Sequence, residues 1–278
     1  MTDSDVLEDI LSKWISVVKL SIIEGAEIYD DHGYGKYNAY MINSYHNRKM
    51  DIHLKFPKVI LVQKLYKSDL NEYIESHKEF NNMFIMELNK NMGHFMREIV
   101  PKLKIMHDNG LIHGDLKPRN IVVDYKSGED GKSYFISFGI IDFEEVSEIN
   151  GWKNRMIGTE KYHAPELKEN NHYYRITTKL DVFALGMSVL RLLSGKKHPY
   201  DNYMKCGEDP QDMVNKDILH KIVDECIVSR ENLLFKDLIR NMIEYDADKR
   251  YDIADIMNHP WYQRHCKISE LKRKELFV

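Results

Sequence analysis

The stretch from Leu180 to Leu193 restricts the fold most, because its spacing predicts one strongly apolar helix. Gly195 comes just after it and provides a stop. Further helical patterns follow at 212–228, 231–244 and 252–258. The C-terminal part is therefore predicted to be mainly helical. The apolar positions that define the first of these helices are Leu180, Phe183, Ala184, Val189, Leu190 and Leu193.

A long helical pattern also covers residues 82–109, and short strands follow it. Pro101 lies inside this pattern and predicts a kink or a break. Two apolar runs come next, Ile121–Val123 and Gly139–Ile141. The polar, glycine-containing segment 126–131 between them predicts a hairpin.

The N-terminal quarter has weaker signals. Residues 1–25 are predicted to be mainly helical, and residues 25–50 mostly loop and strand. The run Val59–Gln63 is a short buried strand with β-branched residues, and a helix starts near Ser68. We therefore expect a small N-terminal part and a larger, mostly helical part from about residue 68.

Composition narrows the possible partners and location. Lys and Arg number 40 against 44 Asp and Glu, so no basic excess favours nucleic acid as the main partner. The apolar stretch Trp14–Ile23 is short and contains Lys19, so it is not expected to span a membrane. The three cysteines are far apart, without the spacing of a zinc site, which is typical of a reducing compartment. We expect no nucleic-acid partner, no membrane association and a cytoplasmic protein.

The segment Leu111–Asn120 carries the chemistry, between a helix end and a short apolar strand. Asp115 is suited to orient a hydroxyl and accept its proton, and Lys117 to neutralise a transferring phosphoryl group. The Asn120 amide oxygen is a ligand for Mg²⁺, and Asp142, after the second strand, adds a carboxylate for the same metal. The competing interpretation is that Asp115 and Asn120 are ordinary turn residues.

These residues resemble the motifs of the eukaryotic-type protein kinase family, chiefly its Ser/Thr branch. Six motifs occur in the family's order over residues 60–262, which makes chance matches improbable. They are His113-Gly-Asp115 with Lys117-Pro-Arg-Asn120, Asp142-Phe-Glu144, Gly158 to Glu166, Asp181 to Gly186, Arg250 and His259-Pro-Trp261.

The resemblance implies an α+β, protein-kinase-like, two-lobed fold with a minimal β-containing N-lobe and a mainly helical C-lobe. Residues 1–67 would form a reduced N-lobe and hinge, 68–265 the C-lobe, and 266–278 a C-terminal tail. By the same resemblance, Asp181 braces the catalytic loop and Arg250 pairs with Glu166.

The implied activity is transfer of the ATP γ-phosphoryl to protein serine or threonine hydroxyls, with ATP and Mg²⁺ as cofactors. Asp115 and Lys117 would be catalytic, and Asn120 and Asp142 would hold the metal. The hinge stretch 64–67 would bind adenine, mainly through Lys64 and Leu65. Lys19 is the third cofactor-binding candidate.

The N-lobe departs from the family pattern and leaves three alignments open. In the first, Gly33 begins an incomplete phosphate loop and Lys55 is the strand lysine, although a glycine pair is more often a plain turn. In the second, Lys19 pairs with the phosphates, although a lone helical lysine is usually solvated. In the third, which we favour, Glu8 lies on the regulatory helix and 25–55 is an insertion.

Two smaller departures concern control. Gly114 replaces the arginine that reads a phosphate on the activation segment, so control through phosphorylation of Thr159 is not expected. Glu144 replaces a flexible glycine after Asp142-Phe143, so the segment that follows is predicted to change conformation less readily. The missing glycine loop and the unassigned phosphate-pairing lysine support an alternative function: a pseudokinase or decoy that binds a partner kinase or its substrate. His113 is expected to be a packed structural residue.

Overall fold

The computed structural model describes residues 66–76, 88–127, 133–169, 173–195, 198–203, 214–228 and 232–266. All of them lie in one compact unit, Tyr66–Val278. The predicted elements before Tyr66, with Lys19, Lys64 and Leu65, lie outside the described residues. The boundaries at 67 and 265 between N-lobe, C-lobe and tail stay a prediction.

Helices make up most of the described part, as predicted. The α-helices are α1 (Leu70–Ser76), α2 (Leu88–Asp108), α3 (Glu166–Glu169), α4 (Lys179–Ser194), α5 (Lys216–Cys226), α6 (Leu233–Met242), α7 (Ile253–Asn258) and α8 (Pro260–His265). Three short 3₁₀ turns, Pro118–Asn120, Glu160–Tyr162 and Pro199–Asn202, stand between them.

Helix α4 is the centre of the core. Every residue from Leu180 to Leu193 is buried, which confirms the prediction of a strongly apolar helix. It packs against α5, α6 and all three 3₁₀ turns, so each of these elements takes its position from the same helix. Gly195 ends it at φ +74°, a conformation that glycine adopts without steric cost.

Helix α2 runs without interruption through Pro101, so the predicted break was wrong. A proline removes one hydrogen bond from a helix interior, and tertiary packing decides whether the helix survives. Here Ile99, Val100 and Leu103 on either side of the proline are fully buried. Their burial holds the 21-residue helix together against the loss of that one bond.

The predicted hairpin is present as β3 (Ile121–Ser127) and β4 (Ser133–Ile140), paired antiparallel with Ile121 opposite Ile140. The short strand β1 (Ser68–Asp69) pairs with the other side of β3. Two further two-stranded sheets join β2 (Leu111–Ile112) to β5 (Ser147–Glu148), and β6 (Trp152–Lys153) to β7 (Tyr174–Arg175). The hairpin register brings the residues just before β3 next to those just after β4.

The C-terminal helices have side-chain caps that fix where they begin. Asp252 accepts a hydrogen bond from Asp255 N–H, and the Asp255 carboxylate accepts one from Asp252 N–H. The His259 ring accepts from Trp261 N–H at the start of α8, and its other nitrogen contacts Asp237 at 3.1 Å. Among the described residues, no helix is long and apolar enough to cross a membrane. Cys226 and Cys266, the two cysteines in the described ranges, form no disulfide.

Replacing Gly186 by alanine should destabilise the protein by about 1–3 kcal/mol, although alanine is the better helix former. An added Cβ at this position would stand 2.5 Å from Ile243 Cγ2 and 3.2 Å from Met242 Cβ. Urea unfolding of Gly186→Ala, alone and in an Ile243→Ala background, measures the effect. The cost should shrink when Ile243 is shortened, and an equal cost in both backgrounds would contradict the steric explanation.

Candidate active site

The buried carboxylate of Asp181, at the start of α4, holds the loop that follows β2. Its Oδ2 accepts from His113 N–H at 2.8 Å and contacts His107 Nε2 at 2.9 Å, and its Oδ1 accepts from Gly114 N–H at 3.0 Å. Burial by itself raises a carboxyl pKa, but the His107 hydrogen bond and the nearby donors lower the pKa of Asp181 below its usual value. The carboxylate is therefore ionised in the core, and the predicted brace is confirmed.

Gly114 is required by the backbone that this brace imposes. Its φ is +81°, and an added Cβ would stand 2.5 Å from the carbonyl oxygen of Glu145. A side chain here would be both strained and in collision with main chain, which cannot yield as a flexible side chain can. The loop geometry thus requires glycine at position 114, and the arginine that the family has at this position is absent.

His113 is a fully buried structural residue, as expected. Its Nδ1 accepts from Asp115 N–H at 3.3 Å, which leaves Nε2 to donate to the Ile141 carbonyl at 3.0 Å. Its ring also lies 5.4 Å from that of Phe143. The imidazole therefore connects the loop that carries Asp115 to the end of β4.

The side chains of Asp115, Lys117, Thr159 and Asn120 form one hydrogen-bonded cluster. Lys117 Nζ lies 2.5 Å from Asp115 Oδ2 and 2.8 Å from Thr159 Oγ1. The Thr159 hydroxyl donates to Asp115 Oδ1 at 2.8 Å, and Asn120 Nδ2 donates to Oδ2 at 3.2 Å. Because both carboxylate oxygens are held, the orientation of Asp115 is fixed while 12% of its side chain remains exposed.

Asn120 and Asp142 lie at the same end of the hairpin. Asn120 directly precedes β3, and its carbonyl accepts from Ile141 N–H at 2.9 Å, just after β4. Its side chain also donates to the Asp115 carbonyl at 2.8 Å, so Nδ2 faces Asp115 and the amide oxygen Oδ1 makes none of these bonds. Asp142 is exposed and has φ +63°, an uncommon backbone for a non-glycine residue.

This donor set fits Mg²⁺, which takes few protein oxygens and keeps positions for water and phosphate. One amide oxygen and one exposed carboxylate stand at neighbouring positions of the hairpin end. The described ranges contain no group of three or more His, Cys, Asp or Glu side chains that would hold a metal by themselves. A metal at this place would therefore take its remaining ligands from water and from the phosphate groups of a bound molecule.

The segment from Phe143 to Glu166 is tied down at several points. Near its start, β5 pairs with β2 through Ser147 opposite Ile112. In its middle, the Arg155 guanidinium binds both carboxylate oxygens of Glu145, at 2.7 and 3.0 Å. The pairing of β6 with β7 adds a backbone anchor.

At the end of this segment, Arg250 and Glu166 form the ion pair that the sequence predicted. Arg250 Nη1 and Nη2 bind the two carboxylate oxygens at 2.7 and 2.8 Å, and the Arg250 side chain is fully buried. Its Nε also donates to the Glu244 carbonyl at 2.8 Å, and its guanidinium lies 4.9 Å from the Phe183 ring centre. The pair joins the segment end to α4 and to the loop before α7.

Thr159 of the site and the buried Arg191 were both missed in the sequence. Thr159 was considered only as a phosphorylation position, yet its hydroxyl bonds both Asp115 and Lys117. Arg191 was overlooked inside the apolar run of α4, where a charged residue between leucines was the available signal. Of the predicted site residues, Asp115, Lys117, Asn120 and Asp142 occupy one region, while Lys19, Lys64 and Leu65 lie outside the described residues.

The buried His198 makes stability sensitive to acid. Burial, together with nearby Lys161, lowers the pKa of His198 to about 3, and its Nδ1 already accepts from Tyr200 N–H at 3.2 Å. An unfolded histidine titrates near pH 6.5, so the unfolded chain binds the extra proton first and stability is lost as the pH falls below about 6.5.

The variant His198→Asn keeps an acceptor for Tyr200 N–H but removes the imidazole that binds a proton in the unfolded chain. Between pH 6 and 4.5, its unfolding free energy should fall less steeply than that of the wild type, by about 1.4 kcal/mol per pH unit. Urea unfolding at a series of pH values measures both slopes. Parallel curves would contradict a neutral, buried His198.

Comparison with known proteins identifies the family. The chain matches the protein kinase domain over residues 41–262, which includes all of the motifs above together with Lys64 and Leu65, but not Lys19. It is 23% identical to an Aurora kinase of Eremothecium gossypii over 74% of this chain and 49% of that protein.

Two further relatives have similar identities. The chain is 28% identical to the probable serine/threonine-protein kinase mkcD of Dictyostelium discoideum over 66% of this chain and 26% of that protein. It is 27% identical to the mitogen-activated protein kinase p38b of Drosophila melanogaster over 76% of this chain and 59% of that protein. The matches thus span from about a quarter to somewhat over half of these relatives. With 222 of its 278 residues inside the matched domain, the chain belongs to the eukaryotic-type protein kinase family.

Proposed function

We propose that the protein is a Ser/Thr protein kinase that transfers the ATP γ-phosphoryl group to a hydroxyl of a protein substrate. The observation that carries this proposal is the Asp115 carboxylate, held on both oxygens and still partly open to solvent. Family membership and the names of the relatives support the reaction class.

Asp115 acts on the acceptor. Its carboxylate orients the incoming hydroxyl and takes the hydroxyl proton as the new oxygen–phosphorus bond forms and the bond to the ADP oxygen breaks. Lys117 places its ammonium beside the same carboxylate, where it offsets negative charge on the phosphoryl group in transfer. Thr159 bonds both groups, so it is a positioning residue for the pair.

Asn120 and Asp142 are the proposed ligands of Mg²⁺. A bound Mg²⁺ would neutralise the phosphate oxygens and fix their orientation. Asn120 supplies Oδ1 while its Nδ2 keeps Asp115 in place, so one side chain serves both the metal and the base. Lys64 and Leu65 are proposed to bind adenine, and Lys19 to contact the phosphates.

The substrate class follows from the same residues. Lys117 at the carboxylate favours serine or threonine as the acceptor, by resemblance to the Ser/Thr branch of the family. We propose a protein partner inside the cell and no nucleic-acid or membrane partner.

A pseudokinase is the second candidate function. Glu144, exposed directly after Asp142-Phe143, stands where the family has glycine, and the phosphate loop in the sequence is incomplete. In this alternative the same fold binds a partner kinase or its substrate without turnover.

The test is phosphoryl transfer from labelled ATP, with Mg²⁺ or Mn²⁺, to a panel of protein substrates and to the protein itself. The variants Asp115→Asn and Asp142→Asn should each lose ~100-fold or more of the rate. Asp108→Asn makes the same chemical change at an exposed helix end, where it removes only an ion pair with Lys104, and should keep full activity.

Equal rates in the wild type and in both variants would refute the roles given to Asp115 and Asp142. No transfer from a folded wild-type protein would favour the pseudokinase. Thermal unfolding with and without Mg²⁺ and ATP then shows whether the nucleotide binds. Wild-type unfolding temperatures in all variants are the condition for comparing their rates.

A further inference from the structure

Arg191 is a buried cation with an unsatisfied donor. Only 5% of its side chain is exposed, and Nη1 has no hydrogen-bond partner among the described residues. Its Nη2 makes one long contact with Asn71 Oδ1, at 3.4 Å. A buried guanidinium nitrogen without an acceptor costs folding free energy, so its presence inside an apolar helix calls for a function.

The contact of Arg191 with Asn71 connects it to α1, which packs against the turn 118–120 that follows Asp115 and Lys117. The last turn of α4 carries Arg191, and the same helix packs against the three 3₁₀ turns, which carry Arg119, Tyr162 and Tyr200. The Tyr162 ring stands edge-on to His198, with ring centres 5.2 Å apart.

A short connection joins this place to the proposed base. Thr159 donates to Asp115 at 2.8 Å, and the Thr159 carbonyl accepts from Tyr162 N–H at 2.8 Å. Tyr162 is thus joined to Asp115 through Thr159. A peptide whose hydroxyl lies at Asp115 would bring residues a few positions away toward Arg191.

Charged side chains near Tyr162 and Arg191 differ in how well they are paired within the described part of the chain. Lys161 and Asp201 form an ion pair at 2.6 Å. The acid recorded against Arg191 is Glu75, whose carboxylate stays 3.8 Å from Nη2 and whose side chain is 58% exposed. Arg119, exposed on the turn before β3, has no acid partner among the described residues.

We propose that Arg191, together with Arg119 on the turn against which α1 and α4 pack, forms a subsite that binds an acidic side chain of the protein substrate within about four residues of the acceptor hydroxyl. This inference rests on the proposed function. A carboxylate or phosphate presents paired oxygens that match the guanidinium fork. It would displace the loosely held Glu75 and reach the orphan Nη1.

The first experiment compares binding of matched fluorescent peptides to the wild-type protein by anisotropy, at fixed ionic strength. Each peptide has one serine and a single variable residue, Glu, phosphoserine, Gln or Lys, placed at each of four positions on either side. The Glu and phosphoserine peptides should bind about tenfold or more tightly than the Gln peptide at one position or at two adjacent positions. Equal affinities at every position would overturn the proposal.

Two variants test whether Arg191 is responsible. Arg191→Met keeps the apolar stem and should abolish the preference for acidic peptides; because it also removes an orphan charge, its unfolding temperature should not fall. Glu75→Gln removes the competing carboxylate and should increase the preference severalfold. The matched control is Glu98→Gln, an acid on α2 that pairs with Lys102. It should leave the preference unchanged.

A preference that survives in Arg191→Met would overturn the proposal. If that variant does not fold, Glu75→Gln decides: an increased preference supports the subsite, and an unchanged one overturns it. The binding experiment tests the subsite and the phosphoryl-transfer experiment tests the proposed enzyme, so either proposal can be refuted without the other. Acid-selective binding without transfer would refute the proposed enzyme and keep the subsite, whereas transfer without acid selectivity would do the reverse.

Discussion

The Asp181 carboxylate is the interaction on which the site depends. It is a buried charge, and it stays ionised because two backbone N–H groups and His107 surround it. The two backbone donors belong to consecutive residues of the loop, so they fix both the position and the direction of the chain that enters Asp115. Gly114 follows from this constraint, since the resulting backbone has no room for a Cβ.

Helix α4 carries a second buried charge, Arg191, near its other end. The two charges differ in how far the protein satisfies their hydrogen bonds. Asp181 has its hydrogen-bonding capacity filled by the protein, as a structural charge should. Arg191, at a comparable depth, keeps one donor that no residue of the described ranges fills. One helix therefore combines a charge that stabilises the catalytic loop with a charge that stays available to bind an acid. Stability and function place opposite demands on buried charges, and here they are separated by three turns of helix.

Motif order in the sequence predicted much of the fold and of the site. The pairs Asp181 with the loop and Arg250 with Glu166 were predicted because each motif residue has a fixed role within the family. The helical part was predicted because its apolar periodicity is strong. The break predicted as one outcome at Pro101 is absent because packing on both sides outweighs one lost hydrogen bond, and a local rule does not contain that packing.

Other features could not be read from local patterns. The bond between Thr159 and Asp115 joins residues 44 positions apart, and nothing in the sequence near either one specifies it. The orphan nitrogen of Arg191 is visible only when the neighbours of α4 are in place. The predictions for Lys19, Lys64 and Leu65 concern the part of the chain before Tyr66 and remain predictions.

The contacts that build the site have a consequence for how the protein reaches its native state. Asp181 meets the loop across 67 and 68 positions of sequence, and Arg250 meets Glu166 across 84. Closing such loops costs chain entropy before the contacts form. In a chain that is still being synthesised, Asp181 can hold the loop that carries Asp115 only after α4 has left the ribosome. Glu166 has no ion-pair partner until the chain extends past residue 250. Competence for chemistry should therefore appear late in synthesis.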